Sequence, residues 1–75
     1  MSKTMVHGGQ LLKTVRRKLG LTQEELCELA DLKVRTYQRW ENKLSEPSFS
    51  TVCNICRNAF NMSLLDALKF ADLTL

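Results

Sequence analysis

The sequence predicts an all-α fold, a single domain of five short helices covering residues 1–75. Three observations support this. Apolar residues recur at helical spacing along most of the chain. Helix start and stop signals occur at Gly20, Thr22, Ser48 and Ser63. No stretch alternates apolar and polar residues as a half-buried strand does. A chain of 75 residues has room for one small core.

The first predicted helix covers about residues 10–19, where Leu12, Val15 and Leu19 form an apolar stripe. Gly20 follows at the position where a left-handed C-cap commonly ends a helix. Residues 1–7 have no amphipathic period and are expected to be a loose N-terminal arm.

The second predicted helix opens with a capping box in which Thr22 caps the amide of Glu25 and Glu25 reaches back. It covers about residues 23–30, and its expected buried residues are Leu26, Leu29 and Ala30. A turn of only three residues, 31–33, leads to a third helix over about 34–42. Two helices joined by so short a turn indicate a helix-turn-helix.

The fourth predicted helix starts at the cap Ser48 and runs to about Phe60, and Asn61 ends it. Its expected inward residues are Phe49, Val52, Ile55, Cys56 and Phe60. Ser63 caps the fifth helix, which runs through Leu65, Leu68 and Phe70. In the loop before Pro47, Leu44 is expected to pack onto the core, with a singly exposed Leu as the alternative.

Two lone charges lie on apolar helix faces. Glu41 shares the sector of Val34, Tyr37 and Trp40 on the third helix, and Arg16 shares the apolar stripe of the first helix. An unpaired buried charge would cost several kcal/mol, so the two charges should pair. This pairing would fix the third helix to its scaffold and leave its basic outer face free.

The net charge is only +3, but the basic residues form two clusters separated by acidic ones. The clusters consist of Lys13, Arg16, Arg17 and Lys18, and of Lys33, Arg35, Arg39 and Lys43. Such a distribution fits a polyanion bound by one face, and it fits a merely solubilising surface equally well.

The three cysteines, Cys27, Cys53 and Cys56, are an odd number in a chain without secretory features, so a disulfide framework is not expected. Cys56 lies on the inward stripe of the fourth helix and is expected to be core packing, with a redox or metal switch as the alternative. No cofactor is predicted. Neither a signal peptide nor a membrane-spanning stretch is evident, which predicts a cytoplasmic protein that does not enter membranes.

Several motifs occur in a characteristic order. They are Gly20 to Leu26, Glu28 to Ala30, Trp40 to Asn42, Pro47-Ser48 and Met62 to Asp66. From Leu19 to Leu68 the chain thereby resembles the Cro and phage-repressor (Xre-like) family of helix-turn-helix DNA-binding domains. The resemblance implies a five-helix lambda-repressor-like fold. It also implies that Arg16 and Glu41 form the family's buried ion pair between helices one and three.

The resemblance further implies a set of DNA-contacting residues. Gln23 would contact a phosphate and brace the recognition helix. Asn42 and Lys43 would meet phosphate after the third helix. The residues implied to enter the major groove are Lys33, Val34, Arg35, Thr36, Gln38 and Arg39. Arg35 and Arg39 are the expected guanine readers, and Val34, at the edge of the inward sector, could contact a thymine methyl group.

The chain departs from the family pattern at three positions. Asp31 replaces the usual Gly of the turn and must adopt a left-handed or bridging conformation. Lys33 replaces a capping Ser or Thr, so the third helix lacks its usual side-chain cap. Lys43 replaces a usual Gly after Glu-Asn, which affects the loop geometry there.

The leading functional hypothesis is a sequence-specific transcriptional regulator that binds a two-fold operator in double-stranded DNA as a homodimer. The apolar residues Leu68, Phe70, Leu73 and Leu75, most of them in the tail 69–75, are a candidate dimer surface, with core closure by Leu68 and Phe70 as the alternative. A second hypothesis is an antitoxin-type module that binds a partner protein as well as DNA, which a pull-down would reveal. An enzyme is not predicted, because no catalytic set or phosphate-binding loop is recognisable.

Overall fold

A computed structural model describes residues 7–72 of the chain. It contains five α-helices and no strand within that range, which confirms the predicted all-α fold. In chain order the helices are α1 (Gly8–Leu19), α2 (Gln23–Ala30), α3 (Val34–Glu41), α4 (Phe49–Ala59) and α5 (Leu64–Phe70). The helix α1 packs against α3, α4 and α5, and α2 packs against α3 and α4. In the described range, no helix has the length and apolar character needed to span a membrane.

The helix boundaries follow local capping chemistry. Gly20 ends α1 with a φ of 77°, as predicted. At the start of α2 the Thr22 hydroxyl oxygen accepts the Glu25 amide at 3.0 Å, and the Glu25 carboxylate accepts the Thr22 amide at 2.8 Å. Ser48 and Ser63 cap α4 and α5 through their side chains. These four predicted signals are confirmed, because each depends on residues within one helical turn.

The start of α1 differs from the prediction. The helix begins at Gly8 rather than near Gln10, and the Nδ1 atom of His7 accepts the Gly9 amide at 3.0 Å. His7 is therefore a helix cap and not part of a loose arm. The rest of the predicted arm, residues 1–6, lies outside the described residues. Gly8 and Gly9, which the predicted helix did not include, belong to its first turn.

The core contains at least one residue from every helix. Its buried apolar residues are Leu11, Leu12, Val15, Leu26, Cys27, Tyr37, Val52, Ile55, Cys56, Phe60, Ala67, Leu68 and Ala71. Leu68 is buried, so for this residue the alternative of core closure is confirmed and the candidate dimer surface does not include it. Leu73 and Leu75 of that candidate surface lie outside the described residues.

Five residues predicted to face inward are exposed instead. They are Leu19, Leu29, Leu44, Phe49 and Leu65. In α2 the buried sector lies between Leu26 and Cys27, and Leu29 points about 110° away from its centre. Leu65 is displaced similarly from the sector that α5 buries.

The other three exposed residues lie near an end of a helix. Leu19 is the last residue of α1 and is 41% exposed. In the loop after α3, Pro47 is buried while Leu44 is 65% exposed. Phe49 is the first residue of α4 and is 74% exposed, at the edge of a shallow groove. At that end of α4 the core is covered by Pro47 and Val52.

Candidate nucleic-acid interface

The helix α3 is sharply two-sided. Tyr37 and Glu41 are buried, and Val34 and Trp40 are partly buried and pack against the core. Four polar side chains occupy the opposite, exposed face: Arg35, Thr36, Gln38 and Arg39. The inward and outward sectors predicted from the sequence are confirmed. The predicted end of α3 is off by one residue, because Asn42 caps the helix rather than belonging to it.

The turn between α2 and α3 is compact. Asp31 adopts the left-handed conformation, with a φ of 58°. This is one of the two conformations predicted for it at the position of the family's glycine. The amide of Leu32 donates to the carbonyl oxygen of Cys27 at 2.8 Å, which closes the end of α2. Asp31 therefore preserves the turn at a conformational cost of about 1 kcal/mol relative to Gly.

The two ends of α3 carry exposed lysines. At the N-terminus Lys33 makes no side-chain cap, as predicted. After the C-terminus Lys43 has a φ of 61°, so it takes the left-handed conformation of the glycine it replaces. This geometry lets the amide of Leu44 donate to the Arg39 carbonyl at 2.9 Å. Asn42 and Lys43 are both exposed beside the outer face of α3.

The inward side of α3 is fixed by an ion pair with α1. The Arg16 Nε atom lies 2.7 Å from Glu41 Oε2, and Arg16 Nη2 lies 3.2 Å from Glu41 Oε1. The remaining nitrogen, Nη1, donates to the Leu21 carbonyl at 2.7 Å. The two side chains are only 12% and 2% exposed. The pair is therefore bidentate, largely desolvated and tied to the turn before α2.

The ion pair stabilises the charged form of both partners. The hydrogen bond to Glu41 raises the pKa of Arg16 above its ordinary value, against the opposing effect of burial. Burial alone would raise the pKa of Glu41, but the hydrogen bonds it accepts, above all from Arg16, lower that pKa below its ordinary value. Both groups are accordingly ionised at neutral pH.

Gln23 links α2 to both faces of α3. Its Nε2 donates to Glu41 Oε1 at 2.9 Å, and its Oε1 accepts from Gln38 Nε2 at 3.0 Å. Gln38 lies on the exposed face, so the hydrogen bonds run from the core to the surface. The bracing of the third helix that the family resemblance implied for Gln23 is present in these contacts.

Two residues were not recognised in the sequence as parts of this site. A Cβ atom built on Gly9 would overlap the carbonyl group of Trp40, so α1 and α3 touch backbone to backbone at this point. Tyr37 is fully buried beside the ion pair, and its hydroxyl has no hydrogen-bond partner among the described residues. Burial, and then the neighbouring Glu41, raise the pKa of Tyr37. Two sequence features could have identified these residues: for Gly9 its position next to a helical pattern, and for Tyr37 its position in the inward sector of the third helix.

The cysteines lie on α2 and α4 and not on α3. All three are free thiols, and Cys56 packs in the core as predicted. Burial raises the pKa of Cys56 to about 11, which suppresses the reactive thiolate. Between residues 7 and 72, His, Cys, Asp and Glu side chains form no group of three that could hold a metal ion.

A family model described as helix-turn-helix matches residues 12–66. The match covers well over half of the chain, so the protein belongs to this family, the Xre- and lambda-repressor-like helix-turn-helix domains. Members of the family are DNA-binding transcription regulators and are generally not enzymes. Comparisons with curated proteins and with solved structures gave no match.

Proposed function

We propose that the protein is a sequence-specific transcriptional regulator that inserts the exposed face of α3 into the major groove of operator DNA. The observation that carries the proposal is the two-sidedness of α3. Its inner side is held by the Arg16–Glu41 pair, and its outer side presents only polar side chains with two arginines one turn apart. The ion pair with Glu41 uses Arg16 and neither Arg35 nor Arg39. The guanidinium groups of these two exposed residues suit recognition of a polyanion.

The proposed contacts divide into base readers and phosphate contacts. Arg35 and Arg39 are the proposed readers of guanine, because a guanidinium donates to O6 and N7 together. Lys33 and Thr36 border them on the exposed side. Val34 is only partly buried, so part of its side chain can meet a thymine methyl group.

The proposed phosphate contacts flank the recognition helix on both sides. Gln23 is the first residue of α2, where helix geometry favours an anion, and its amide keeps one N–H after donating to Glu41. Asn42 and Lys43 are exposed directly after α3. Contacts of this kind set the position of the helix on the duplex but carry no sequence information themselves.

The proposed roles predict different effects for two kinds of substitution. Replacing Arg35 or Arg39 with Ala should remove about 1–3 kcal/mol of discrimination at particular base pairs. Replacing Lys43 with Ala should weaken binding to all duplexes alike and reduce the salt slope by about one. Each variant is titrated against a selected operator and a scrambled duplex at several salt concentrations. Arg57→Ala, an exposed arginine on α4, serves as the matched control and should leave specificity unchanged.

Equal losses of affinity for both duplexes in Arg35→Ala and Arg39→Ala would contradict base reading by these arginines. They would then be phosphate contacts, and specificity would have to come from Val34, Gln38 or DNA shape.

We further propose that the protein binds a two-fold operator as a homodimer. One copy of α3 covers only a half-site, and a dimer places two recognition helices roughly 34 Å apart on one face of the duplex. The proposed contact includes Leu73 and Leu75, which lie outside the described residues. Phe70, which precedes these two leucines in the sequence, is 38% exposed. Its carbonyl oxygen accepts a hydrogen bond from Lys18 Nζ at 2.9 Å.

Truncation after Asp72 tests this contact, because it removes Leu73 and Leu75 but keeps the buried Ala71. The truncated chain should keep its unfolding midpoint and lose operator affinity, since two half-sites would no longer be bound together. Sedimentation of the full chain should show a dimer at high micromolar concentration. A monomer at that concentration, or a truncated chain with full operator affinity, would contradict the proposal.

A further inference from the structure

An open apolar groove of about 210 Å³ lies between α1, α4 and α5. An apolar cavity of about 150 Å³ is large enough to bind benzene, so this groove has room for an apolar side chain. No residue of α2 or α3 lines it, so its occupant leaves the outer face of α3 free. The lining residues are Gly8, Leu11, Glu46, Pro47, Phe49, Val52, Leu64 and Leu68.

The chain enters α1 beside this groove. His7 caps the helix with an extended backbone, at a φ of −72° and a ψ of 130°, so α1 does not continue backward through it. Gly8, the first residue of α1, lines the groove, and a Cβ atom built on it would lie 2.9 Å from side-chain atoms of both Pro47 and Val52. The segment of residues 1–6 therefore joins the described chain one residue away from the groove.

The sequence around the cap matches a hydrophobic staple. In this motif the apolar residue that precedes the cap packs against the fourth residue of the helix, and the contact fixes the direction from which the chain enters. With His7 as the cap, these two residues are Val6 and Leu11. Because Leu11 lines the groove, a staple here brings Val6 to the groove as well.

We propose that residues 1–6 dock in the groove of their own chain, with Val6 anchored on Leu11. Neighbouring side chains of an extended segment point to opposite sides, so Met5 can reach a different wall of the groove, where Phe49 is 74% exposed. A thioether beside an aromatic ring is a favourable contact. The docked segment closes the groove to other partners. This inference goes beyond the proposed function and does not depend on DNA binding.

Charge complementarity favours the same occupant. Glu46 is exposed at the groove, and it forms no salt bridge within the described part of the chain. Lys3 is the only charged side chain of the docked segment. It lies four residues before His7, and four extended residues span up to about 14 Å. Glu46 directly precedes Pro47, which lies beside the start of α1, so an ion pair between Lys3 and Glu46 fits the docked segment.

The direct test is nuclear Overhauser spectroscopy of the free full chain with labelled methyl groups. Docking predicts signals from the methyl groups of Val6 to those of Leu11 and Val52, and from the methyl group of Met5 to the ring of Phe49. A mixture of labelled and unlabelled chains separates contacts within one chain from contacts between two. Absence of these signals overturns the proposal. Signals found only between chains overturn it too, because a second copy would then be the occupant.

Replacing the anchor should lower thermal stability. Val6→Ser is expected to reduce the melting temperature by roughly 4–8 °C, the shift that loss of about one apolar contact produces in a domain of this size. Ser2→Ala is the control, because it leaves the charge unchanged and lies outside the proposed contacts, and it should melt with the wild type. A Val6→Ser protein that also melts with the wild type overturns the anchoring of Val6 on Leu11.

A phosphate of the duplex is the competing partner for Lys3. If Lys3 pairs with Glu46, Lys3→Ala should leave the salt dependence of DNA affinity unchanged, whereas Lys43→Ala should reduce the salt slope by about one. A comparable reduction in Lys3→Ala overturns the docking, because the segment would then lie on DNA. The spectroscopic and thermal tests use no DNA, so failure of the docking is distinguishable from failure of the proposed function.

Discussion

Glu41→Leu, or Arg16→Met, is expected to lower the free energy of unfolding by about 3–5 kcal/mol. Glu41 is 2% exposed in its side chain, and it holds Arg16 through two hydrogen bonds. Removing either residue leaves the other charge unpaired in a desolvated environment. The free-energy cost of that unpaired charge exceeds the net stabilisation that the ion pair provides. In Glu41→Leu, Arg16 keeps only the carbonyl of Leu21 as a partner among these contacts. Chemical denaturation measures the loss.

The double replacement Arg16→Met with Glu41→Leu should recover much of the lost stability, because neither charge is then left alone. The exposed neighbour Arg17→Met is the matched control and should change stability by less than about 0.5 kcal/mol. Wild-type denaturation midpoints in both single variants would show that the pair contributes nothing and would refute the role assigned to it.

Gly9→Ala should destabilise the domain by roughly 3 kcal/mol, although it adds a single methyl group. The added Cβ would overlap the backbone carbonyl of Trp40, and a backbone cannot move aside as a flexible side chain can. The helix α1 would have to separate from α3, which also strains the Arg16–Glu41 pair. We therefore expect reduced operator affinity as well as a lower denaturation midpoint.

Two other glycines provide controls for Gly9→Ala. A Cβ on Gly8 would lie 2.9 Å from side-chain atoms of Pro47 and Val52, so Gly8→Ala should cost less. A Cβ on Gly20 meets nothing within 4 Å, and Gly20→Ala should cost only about 1 kcal/mol for the left-handed backbone. A Gly9→Ala protein as stable as wild type would contradict the close contact between α1 and α3.

The features that sequence predicted well are local or strongly periodic. The capping box of Thr22 and Glu25 depends on residues three apart, and the two sides of α3 depend on a clear helical period. The partnership of Arg16 and Glu41 could also be expected, because two inward charges of opposite sign have few other ways to be satisfied.

The features that sequence missed depend on where neighbouring helices lie. Leu29 and Leu65 satisfy an apolar period, but no helix covers them, so they are exposed. Gly9 reads locally as a helix breaker, and only the position of α3 shows why a side chain is excluded there. The bond between Gln23 and Gln38 joins two helices and likewise needs the fold. The roles of the DNA-contacting residues remain proposals, since they depend on a partner molecule.

Selection of binding sites from random duplex DNA, with the wild-type full chain, addresses the proposed reading of DNA by α3 most directly. The expected result is enrichment of a two-fold sequence whose half-sites are centred about 10 base pairs apart. Each half-site should contain guanine for the arginines of α3. Recovery of unrelated sequences with no shared half-site, at a salt concentration that suppresses nonspecific binding, would contradict sequence-specific recognition by this helix.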